Sequence, residues 1–365
     1  MGTIKRGFAN NILTTGKFDA TDLSGTIPSS NVANTTLSSI TSVPASVGDL
    51  VQSVASDPSP AAAGDIWYNS TSGTFKAAQF IPDAWAAGGN LGSGRYGLSG
   101  FGTQTAAVAC GGYNAGGYPV ASILTENYNG TSWSPSGNLS SGRIDGAALG
   151  TQTAGLFCGG YFEGNRPIAT EKYNGTSWTN STNLPGIRQG GAGAGTQTAS
   201  LVFGGFGAAN PTDILSSALK FDGTTWTSTG SLSTGRPQLS GMGTQTAALA
   251  AGGEPSIAST EEFDGSTWTA GGNLNRGRAL MSSAGTQTAG LVAGGGGSPQ
   301  TETELYNGTS WTVSPATTAN NQFYGGGCGT QPAAVVFGGG AGTTFRSQTE
   351  EFTGGALTVK TITTS

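Results

Sequence analysis

Arginine and glutamate recur at fixed places in this chain, and these side chains could bind anions or act as acids and bases. The arginines follow a tryptophan by ten residues, and the glutamates precede an aromatic residue by two. They are Arg95, Arg143, Arg188, Arg236 and Arg278, with Glu126, Glu171, Glu261, Glu304 and Glu350. A carboxylate repeated at equivalent sites has no local asymmetry that would shift the pKa of one copy alone. The pattern therefore favours structural salt bridges between neighbouring repeat units over a catalytic site.

Residues that commonly bind metals are scarce. The chain has no histidine, and its three cysteines, Cys110, Cys158 and Cys328, form no closely spaced pair. Cys110 and Cys158 share one position of successive repeats, where the other copies carry Phe203, Ala251, Ala293 and Phe337. Such a position is typical of a buried apolar side chain. We therefore predict no metal, no cofactor and no enzymatic activity.

The overall composition argues against two classes of partner. The formal net charge is −5 and charged residues make up 10 % of the chain. No cluster of Lys and Arg could neutralise a run of phosphates, so we expect no nucleic acid partner. No stretch reaches the roughly 18 apolar residues of a membrane span. We therefore predict no membrane span.

Six copies of one phrase, Gly-Thr-Gln-Thr-Ala-Ala or a near variant, define the elements that position these residues. The copies begin at residues 102, 150, 195, 243, 285 and 329, which are 42 to 48 residues apart. Such a period is typical of a supersecondary unit stacked on copies of itself. Short β-type runs separated by turn residues predict a four-stranded antiparallel sheet in each period. Asn-Gly or Asp-Gly pairs at residues 129–130, 174–175, 222–223, 264–265 and 307–308 predict two-residue hairpins.

The strands of each period differ in side-chain size. The first is built of very small residues, as at 192–194 and 325–327, and the second is largely apolar on both faces, as at 199–203 and 333–337. The outer strand carries one tryptophan: Trp133, Trp178, Trp226, Trp268 or Trp311. Small residues allow strands to converge on an axis, and strands covered on both sides are apolar on both faces. The sequence therefore predicts an all-β radial propeller.

The repeat also resembles the kelch repeat, in which a hydrophobic strand ends in Gly-Gly and is followed by a Tyr and then a Trp. The Gly-Gly pairs lie at residues 111–112, 159–160, 204–205, 252–253, 294–295 and 338–339, and the aromatic residues are Tyr128, Tyr173, Phe221, Phe263, Tyr306 and Phe352. The resemblance covers about residues 85 to 360 and implies a six-bladed kelch-like β-propeller over 85–365. The sixth copy has Leu357 in place of the tryptophan and Asn321 in place of the arginine. We therefore expect this blade to be the closure point.

The segment just before the propeller leaves a second blade count open. Phe80 and Trp85 have the spacing of the aromatic residue and tryptophan of a repeat, and residues 64–69 and 73–76 could form two strands. Seven blades would need a further inner strand, which the sequence does not indicate. We therefore predict six blades, with 61–84 as a short β-hairpin or linker that could add an outer strand.

Two kinds of propeller enzyme do not fit these residues. The copper oxidases among kelch propellers need histidine ligands, which this chain lacks. Residues 222–226, Asp-Gly-Thr-Thr-Trp, look like the Asp-box of sialidases, but the residue that separates Asp from Gly in that motif is missing.

One side of the propeller is predicted to vary from repeat to repeat. The turns after the first and third strands are nearly identical in every copy, whereas the loops after Gly-Gly differ in length and content. Because ligand contacts concentrate on variable loops held by a rigid scaffold, these loops form the candidate binding face. Its residues are Tyr113, Tyr118, Tyr161, Phe162, Arg166, Phe206, Asp213 and Glu254. The alternative is that these loops vary because nothing constrains them.

The first sixty residues lack the repeat and suggest a place of action. Residues 4–12, 23–28 and 63–69 resemble phrases of bacteriophage tail-fibre and head-fibre proteins, and the glycine-rich propeller is similar to those of cyanophage-like virion proteins. The resemblance implies a virion protein, assembled in the bacterial cytoplasm, with residues 1–60 as an extended anchoring arm in a homo-oligomer. The propeller would then bind a host-surface glycan.

Other functions stay open at this point. The chain could be a capsid or neck decoration protein that binds no receptor. It could also be a polysaccharide-degrading enzyme on the same scaffold. An intracellular kelch adaptor fits the repeat but not the arm.

Overall fold

The strands and turns of this chain are described by a computed structural model over residues 52–115, 121–208, 212–341 and 343–362. These residues contain no helix, and therefore none long and apolar enough to cross a membrane. Of the predicted arm 1–60, residues 1–51 lie outside the described residues. The chain divides into one unit of residues 1–82 with 355–365 and a second unit of residues 83–354.

The strands of the described residues follow in chain order. The first ten are β1 Gln52–Val54, β2 Ile66–Asn69, β3 Thr74–Ile81, β4 Ala84–Ala87, β5 Arg95–Tyr96, β6 Ser99–Thr103, β7 Ala106–Cys110, β8 Tyr113–Asn114, β9 Thr125–Tyr128 and β10 Trp133–Pro135. The next eight are β11 Ala147–Thr151, β12 Ala154–Cys158, β13 Thr170–Tyr173, β14 Trp178–Asn180, β15 Ala192–Thr196, β16 Ala199–Phe203, β17 Ala218–Phe221 and β18 Trp226–Thr229. Eight more are β19 Ser240–Gly243, β20 Ala248–Ala251, β21 Thr260–Phe263, β22 Trp268–Ala270, β23 Ser282–Gly285, β24 Gly290–Ala293, β25 Thr303–Tyr306 and β26 Trp311–Val313. The last are β27 Gly326–Thr330, β28 Ala333–Phe337, β29 Thr349–Thr353 and β30 Ala356–Thr361.

The first unit contains one sheet, with strand order β1-β2-β3-β30. β1 is parallel to β2, and the other neighbours are antiparallel. The Asp57 carboxylate accepts hydrogen bonds from the Trp67 indole at 3.0 Å and the Asn69 amide at 2.7 Å. These bonds, Asn69 first, lower the pKa of Asp57. They tie the segment after β1 to the β2–β3 hairpin.

The second unit repeats one four-stranded antiparallel sheet. We number these sheets 1 to 6: β6-β7-β9-β10, β11 to β14, β15 to β18, β19 to β22, β23 to β26, and β27-β28-β29-β4. The first strands contact one another in the order β6, β11, β15, β19, β23, β27, and β27 contacts β6. Close approach requires small residues, since a Cβ on Gly193 would lie 2.9 Å from Leu149 Cδ2. The fold is therefore all-β and β-propeller-like, as the sequence predicts.

The core lies between adjacent sheets. Sheets 1 and 2 bury Phe101, Val108 and Cys110 against Phe157 and Tyr173. Cys110, Cys158 and Cys328 are free and buried, and desolvation raises the pKa of Cys110 and of Cys158 to about 12. The prediction that Cys110 and Cys158 are buried apolar side chains is confirmed.

The glutamine of each Gly-Thr-Gln phrase bonds to the preceding sheet. Gln197 Nε2 donates to the carbonyl oxygens of Gly155 and Tyr173, each at 2.8 Å. Gln152, Gln245, Gln287 and Gln331 make the same pair of bonds one sheet back. In sheet 1, Gln104 donates to Ala334 O at 3.0 Å and Phe352 O at 2.7 Å, both in sheet 6. These bonds join sheet 1 to sheet 6 as they join the other neighbours.

We expect Gln104→Ala and Gln197→Ala to lower the free energy of unfolding by the same amount, about 2 kcal/mol, because each leaves two carbonyls without their donor. Urea unfolding measures both, with Thr198→Ala as an exposed control that changes stability by less than about 0.5 kcal/mol. If Gln197→Ala lowers the free energy of unfolding by about 2 kcal/mol and Gln104→Ala does not lower it, sheets 1 and 6 are not joined.

The outer strand of sheet 6 comes from the other end of the repeat region. Trp85 of β4 pairs with Phe352 of β29, and their ring centroids are 5.1 Å apart. Its indole donates to Thr303 Oγ1 in sheet 5, as Trp133 donates to Thr349 Oγ1 in sheet 6. Leu357, at the expected tryptophan position, lies instead in β30. The sixth tryptophan is therefore Trp85. The unit that contains all six sheets spans residues 83–354, whereas the sequence predicted 85–365.

The predicted arginine–glutamate pairs form, but within one sheet rather than between neighbouring units. Each arginine precedes a first strand, and four of the five bind the glutamate on the third strand of that same sheet. The pairs are Arg95–Glu126, Arg143–Glu171, Arg236–Glu261 and Arg278–Glu304, with both side chains almost fully buried. In sheet 3 the glutamate position is occupied by Leu219; Arg188 there donates to Ser217 Oγ at 2.9 Å, and burial lowers its pKa to about 10.

The Asn-Gly and Asp-Gly pairs lie in four-residue turns, so the prediction of two-residue hairpins was wrong there. Tyr128 pairs with Trp133, which leaves residues 129–132 in the turn. Asn129 Oδ1 accepts the backbone N–H groups of Thr131 and Ser132, each at 2.9 Å, which is an Asx turn. At the equivalent Asp222, the backbone N–H groups and the hydroxyls of Thr224 and Thr225 all donate to the carboxylate, and these bonds, that of the Thr225 N–H first, hold its pKa well below the usual range.

Two sides of the second unit can now be distinguished. Gly130 of an Asn-Gly turn lies beside Thr105 of the Gly-Thr-Gln-Thr turn in the same sheet. We call the side with these two sets of turns the turn face. The loops after Gly-Gly and the connections that carry the arginines lie at the opposite strand ends, because the strands alternate in direction. We call that side the loop face.

Candidate functional site

Six residues on the loop face form a closed ring of backbone hydrogen bonds. Each lies two positions after the arginine, or its counterpart, in one repeat. The ring runs Gly97, Tyr324, Leu280, Gln238, Gly190, Asp145 and back to Gly97, with N–H groups donating in that order at 2.7 to 3.2 Å. All six have a positive φ, between 55° and 64°. We call this set the axial ring. Its members lie just before the first strands of the six sheets, and these strands line a cavity of about 230 Å³.

The axial ring is chemically uneven although its backbone is uniform. Glycine suits a positive φ, whereas Asp145, Gln238, Leu280 and Tyr324 carry side chains there. A left-handed conformation costs a non-glycine residue roughly 1–2 kcal/mol. Such strain is concentrated at functional positions in proteins. The side chains on this ring are therefore the first candidates for function.

Three ring side chains meet across the ring. Asp145 accepts a short hydrogen bond from the Tyr324 hydroxyl, and the Gln238 amide bonds to both. The Gln238 side chain lies over Gly190, where a Cβ would be 3.0 Å from its Cδ. The ring therefore places a carboxyl, a phenol and an amide from sheets 2, 6 and 4 together at one end of the cavity.

A second layer supports the Asp145 carboxyl from the loop face. Gln189 Nε2 donates to Asp145 Oδ2 at 3.1 Å, and Arg166 Nε donates to Gln189 Oε1 at 3.0 Å. Arg166 also lies over the Tyr161 ring, 5.8 Å from its centroid. A cation–π contact of this kind orients the guanidinium. Arg166 is thus linked to Asp145 through one amide.

Burial dominates the titration of this cluster. Desolvation raises the pKa of Asp145, and the nearby Glu254 carboxylate raises it further, while bonds from Tyr324, Gln189 and Gln238 act in the opposite direction. Desolvation and the Asp145 carboxyl raise the pKa of Tyr324 well above its ordinary value. Both groups therefore hold their protons more tightly than the free side chains do.

An aromatic cluster flanks the ring next to Tyr324. Tyr96 is stacked on Phe345 at 5.4 Å and meets Tyr113 edge-on at 5.6 Å and Tyr324 at 5.7 Å. Tyr96 is buried, while the other three are partly exposed. The loop face therefore offers flat rings beside polar groups.

The structure brings together some of the predicted face residues. Tyr113, Tyr161 and Arg166 lie around the axial ring, and Glu254 acts on Asp145 through its charge. Phe206 is buried and its backbone pairs with that of Gln189. Phe162, paired with Asn165, and Asp213, bonded to Ala208, each stabilise their own loop. Tyr118 lies outside the described residues.

Sequence reasoning missed Asp145, Gln238, Tyr324, Tyr96 and Gln189. The available signal was the position two residues after the arginine, which varies from glycine to aspartate to tyrosine within an otherwise regular repeat. In the part of the chain that the structure describes, no group of three or more His, Cys, Asp or Glu residues could hold a metal ion.

The raised pKa of Asp145 predicts a pH-dependent stability. The folded protein holds this proton more tightly than the unfolded chain, so the stabilisation is full below the ordinary pKa of 3.8 and is lost as pH rises through the higher folded pKa. Asp145→Asn keeps the shape, and asparagine tolerates the positive φ. We expect its stability relative to the native protein to increase between about pH 4 and pH 7, measured by urea unfolding. A difference that is constant with pH would contradict this assignment.

The comparisons with known proteins bear on the whole chain. No family model matches it, and no curated protein matches it in sequence. The candidate function therefore rests on the axial ring and the side chains around it.

Proposed function

We propose that residues 83–354 form a closed, six-bladed, kelch-like β-propeller of a bacteriophage virion protein, and that its loop face binds a host-surface glycan. Closure is supported by the cyclic hydrogen bonds of the axial ring and by the bonds of Gln104 to sheet 6. Residues 1–60 would attach the protein to the particle as part of a homo-oligomer, and the resemblance of residues 4–12 and 23–28 to phage fibre proteins supports this part.

One observation carries the binding proposal: polar groups and flat aromatic rings lie side by side on the loop face. Tyr113, Tyr161 and Phe345 are partly exposed, Arg166 lies over the Tyr161 ring, and the Gln238 amide bonds to Tyr324. Sugars are bound by aromatic rings that cover their apolar faces and by a few well-placed hydrogen-bonding groups. The proposed role is binding without catalysis, which agrees with the burial of the repeated arginines and glutamates in structural pairs.

The full-length protein should be tested on an array of bacterial surface polysaccharides, followed by titration of each positive glycan. We expect Tyr113→Ala and Arg166→Ala to raise Kd about tenfold or more, as for residues central to an interface. Thr105→Ala, an exposed residue of the turn face, is the matched control and should leave Kd unchanged. Absence of binding at millimolar glycan, or equal losses in all three variants, would contradict the proposal.

A second function, cleavage of the bound glycan, is favoured by the place of Asp145, whose carboxyl meets the Tyr324 hydroxyl at one end of the cavity and has a raised pKa. A carboxyl with a raised pKa can act as a general acid on a glycosidic oxygen. Release of reducing ends from a bound polysaccharide, abolished by Asp145→Asn, would support it. If the glycan is bound but no reducing ends are released, cleavage is contradicted and the protein only binds the glycan.

A further inference from the structure

Sheets 1, 2, 4 and 5 contain one recurring site for a positive charge. The arginine that precedes the first strand binds a glutamate of the third strand, as described above. In sheet 5, Arg278 also donates to the carbonyl oxygens of Gly294 at 3.0 Å and Glu302 at 3.1 Å. In sheet 1, Arg95 donates to Gly111 O at 2.9 Å and Leu124 O at 2.8 Å. In sheets 1 and 5 the site thus surrounds the guanidinium with carboxylate and carbonyl oxygens.

Sheet 6 keeps the acceptors of this site but not the arginine. The residue in its place is Gln322, not Asn321, because the connection after Trp311 is one residue longer. The backbone fixes this equivalence: Gly295 N donates to Gln322 O as Gly253 N donates to Arg278 O. Gln322 is fully buried, and neither polar atom of its side chain has a hydrogen-bond partner among the described residues.

The Gln322 side chain follows the course of an arginine stem. A Cβ on Gly325 would lie 3.1 Å from Gln322 Oε1, just as a Cβ on the equivalent Gly191 would lie 2.9 Å from Arg188 Cδ. Gln348 Oε1 is a second buried oxygen without a partner among the described residues. The Gly338 N–H donates to Gln348 O at 3.0 Å, as Gly294 N–H donates to Glu302 O at 2.9 Å. The carbonyls of Gly338 and Gln348 therefore stand where those of Gly294 and Glu302 bind Arg278.

The carboxylate of this site is also retained. Glu350 is 3 % exposed. Its oxygens accept the Ala319 N–H at 2.7 Å, the Asn320 N–H at 3.0 Å and the Asn320 side-chain amide at 3.1 Å, all of them neutral donors. A buried carboxylate without a cation is costly, and the four arginine sites avoid that cost.

We infer that sheet 6 binds one small monovalent cation, potassium, sodium or ammonium, at the place of the missing guanidinium. Glu350 supplies the charge, and the side-chain oxygens of Gln322 and Gln348 with the carbonyl of Gly338 complete the oxygen set. Hard cations take oxygen ligands of these types. One carboxylate balances one positive charge, which favours a monovalent over a divalent ion. This site is independent of the glycan proposed for the loop face.

Thermal unfolding of the full-length protein tests the inference. The chlorides of potassium, sodium, ammonium and tetramethylammonium are compared at one ionic strength of about 0.1 M, because tetramethylammonium is too large for a guanidinium-sized site. We expect at least one small cation to raise Tm by about 3 °C over tetramethylammonium, with a saturable concentration dependence. Equal Tm values in all four salts would overturn the inference.

Two variants locate the effect. Gln322→Arg supplies the charge covalently, so its Tm in tetramethylammonium should exceed that of the native protein and the cation dependence should vanish. Glu350→Gln removes the charge and should also abolish the dependence, which keeps the test decisive if Gln322→Arg does not fold. Full cation dependence in either folded variant would place the effect elsewhere and overturn the assignment.

Discussion

Replacing Glu171 with alanine is expected to lower the free energy of unfolding by about 3–5 kcal/mol, because it leaves Arg143 as a buried charge without its partner. Arg143 is fully buried and Glu171 is 1 % exposed. Glu171 also accepts the Ser140 N–H at 2.9 Å, so the connection into sheet 2 loses a second bond. Chemical denaturation of the full-length chain measures the loss.

The double variant Arg143→Met with Glu171→Leu is the informative control. Replacing a whole buried ion pair by apolar residues is often nearly neutral, whereas removing one partner is not. Sheet 3 already has one of these two replacements, since Leu219 stands there at the glutamate position while Arg188 is retained. We therefore expect the double variant to be more stable than Glu171→Ala. A double variant that is less stable than the single one would show that the pair contributes more than it costs to bury.

Trp85→Ala is expected to destabilise the protein by about 3 kcal/mol, in the range of large aromatic deletions after allowance for its partial exposure. Trp85 packs on Phe352 and its indole donates to Thr303 Oγ1 at 3.0 Å. The variant therefore removes contacts with sheets 6 and 5 together. Denaturant unfolding gives the change in free energy.

Trp133→Ala is the matched comparison, since Trp133 holds the same place in sheet 1. It packs on Tyr128 at 4.8 Å and donates to Thr349 Oγ1 at 2.9 Å. The two variants should lose similar stability. Destabilisation in Trp133→Ala with none in Trp85→Ala would mean that β4 does not complete sheet 6.

The sequence predicted best those strands and turns that depend only on residues within one repeat. The second strands predicted at 199–203 and 333–337 are β16 and β28 with the same bounds, and the predicted tryptophans begin the outer strands β10, β14, β18, β22 and β26. Apolar runs between turn residues determine such strands locally. The short Gln-Thr turn between β11 and β12 is equally local, because Thr151 pairs with Ala154.

Features that depend on more than one repeat were harder to predict. Counting ten residues from Trp311 reaches Asn321, whereas the longer connection places Gln322 at the arginine position. Trp85 lies far from Phe352 in sequence, so spacing within one repeat assigned Leu357 instead. The axial ring depends on a backbone conformation shared by glycine, leucine and tyrosine, which residue type does not reveal.

A disulfide bond between β4 and β29 would test directly whether β4 completes sheet 6. Ala84 and Thr353 are paired in the structure and both are exposed, so Ala84→Cys with Thr353→Cys meets the geometry of a disulfide bond. The native cysteines are buried and their raised pKa values keep them unreactive. After mild oxidation of the dilute protein, mass spectrometry should detect a peptide in which residues 84 and 353 are linked. The control variant, Ala84→Cys with Thr227→Cys, should give no linked peptide. Failure of the 84–353 link to form, or an equal yield in both variants, would contradict a ring of sheets closed by β4.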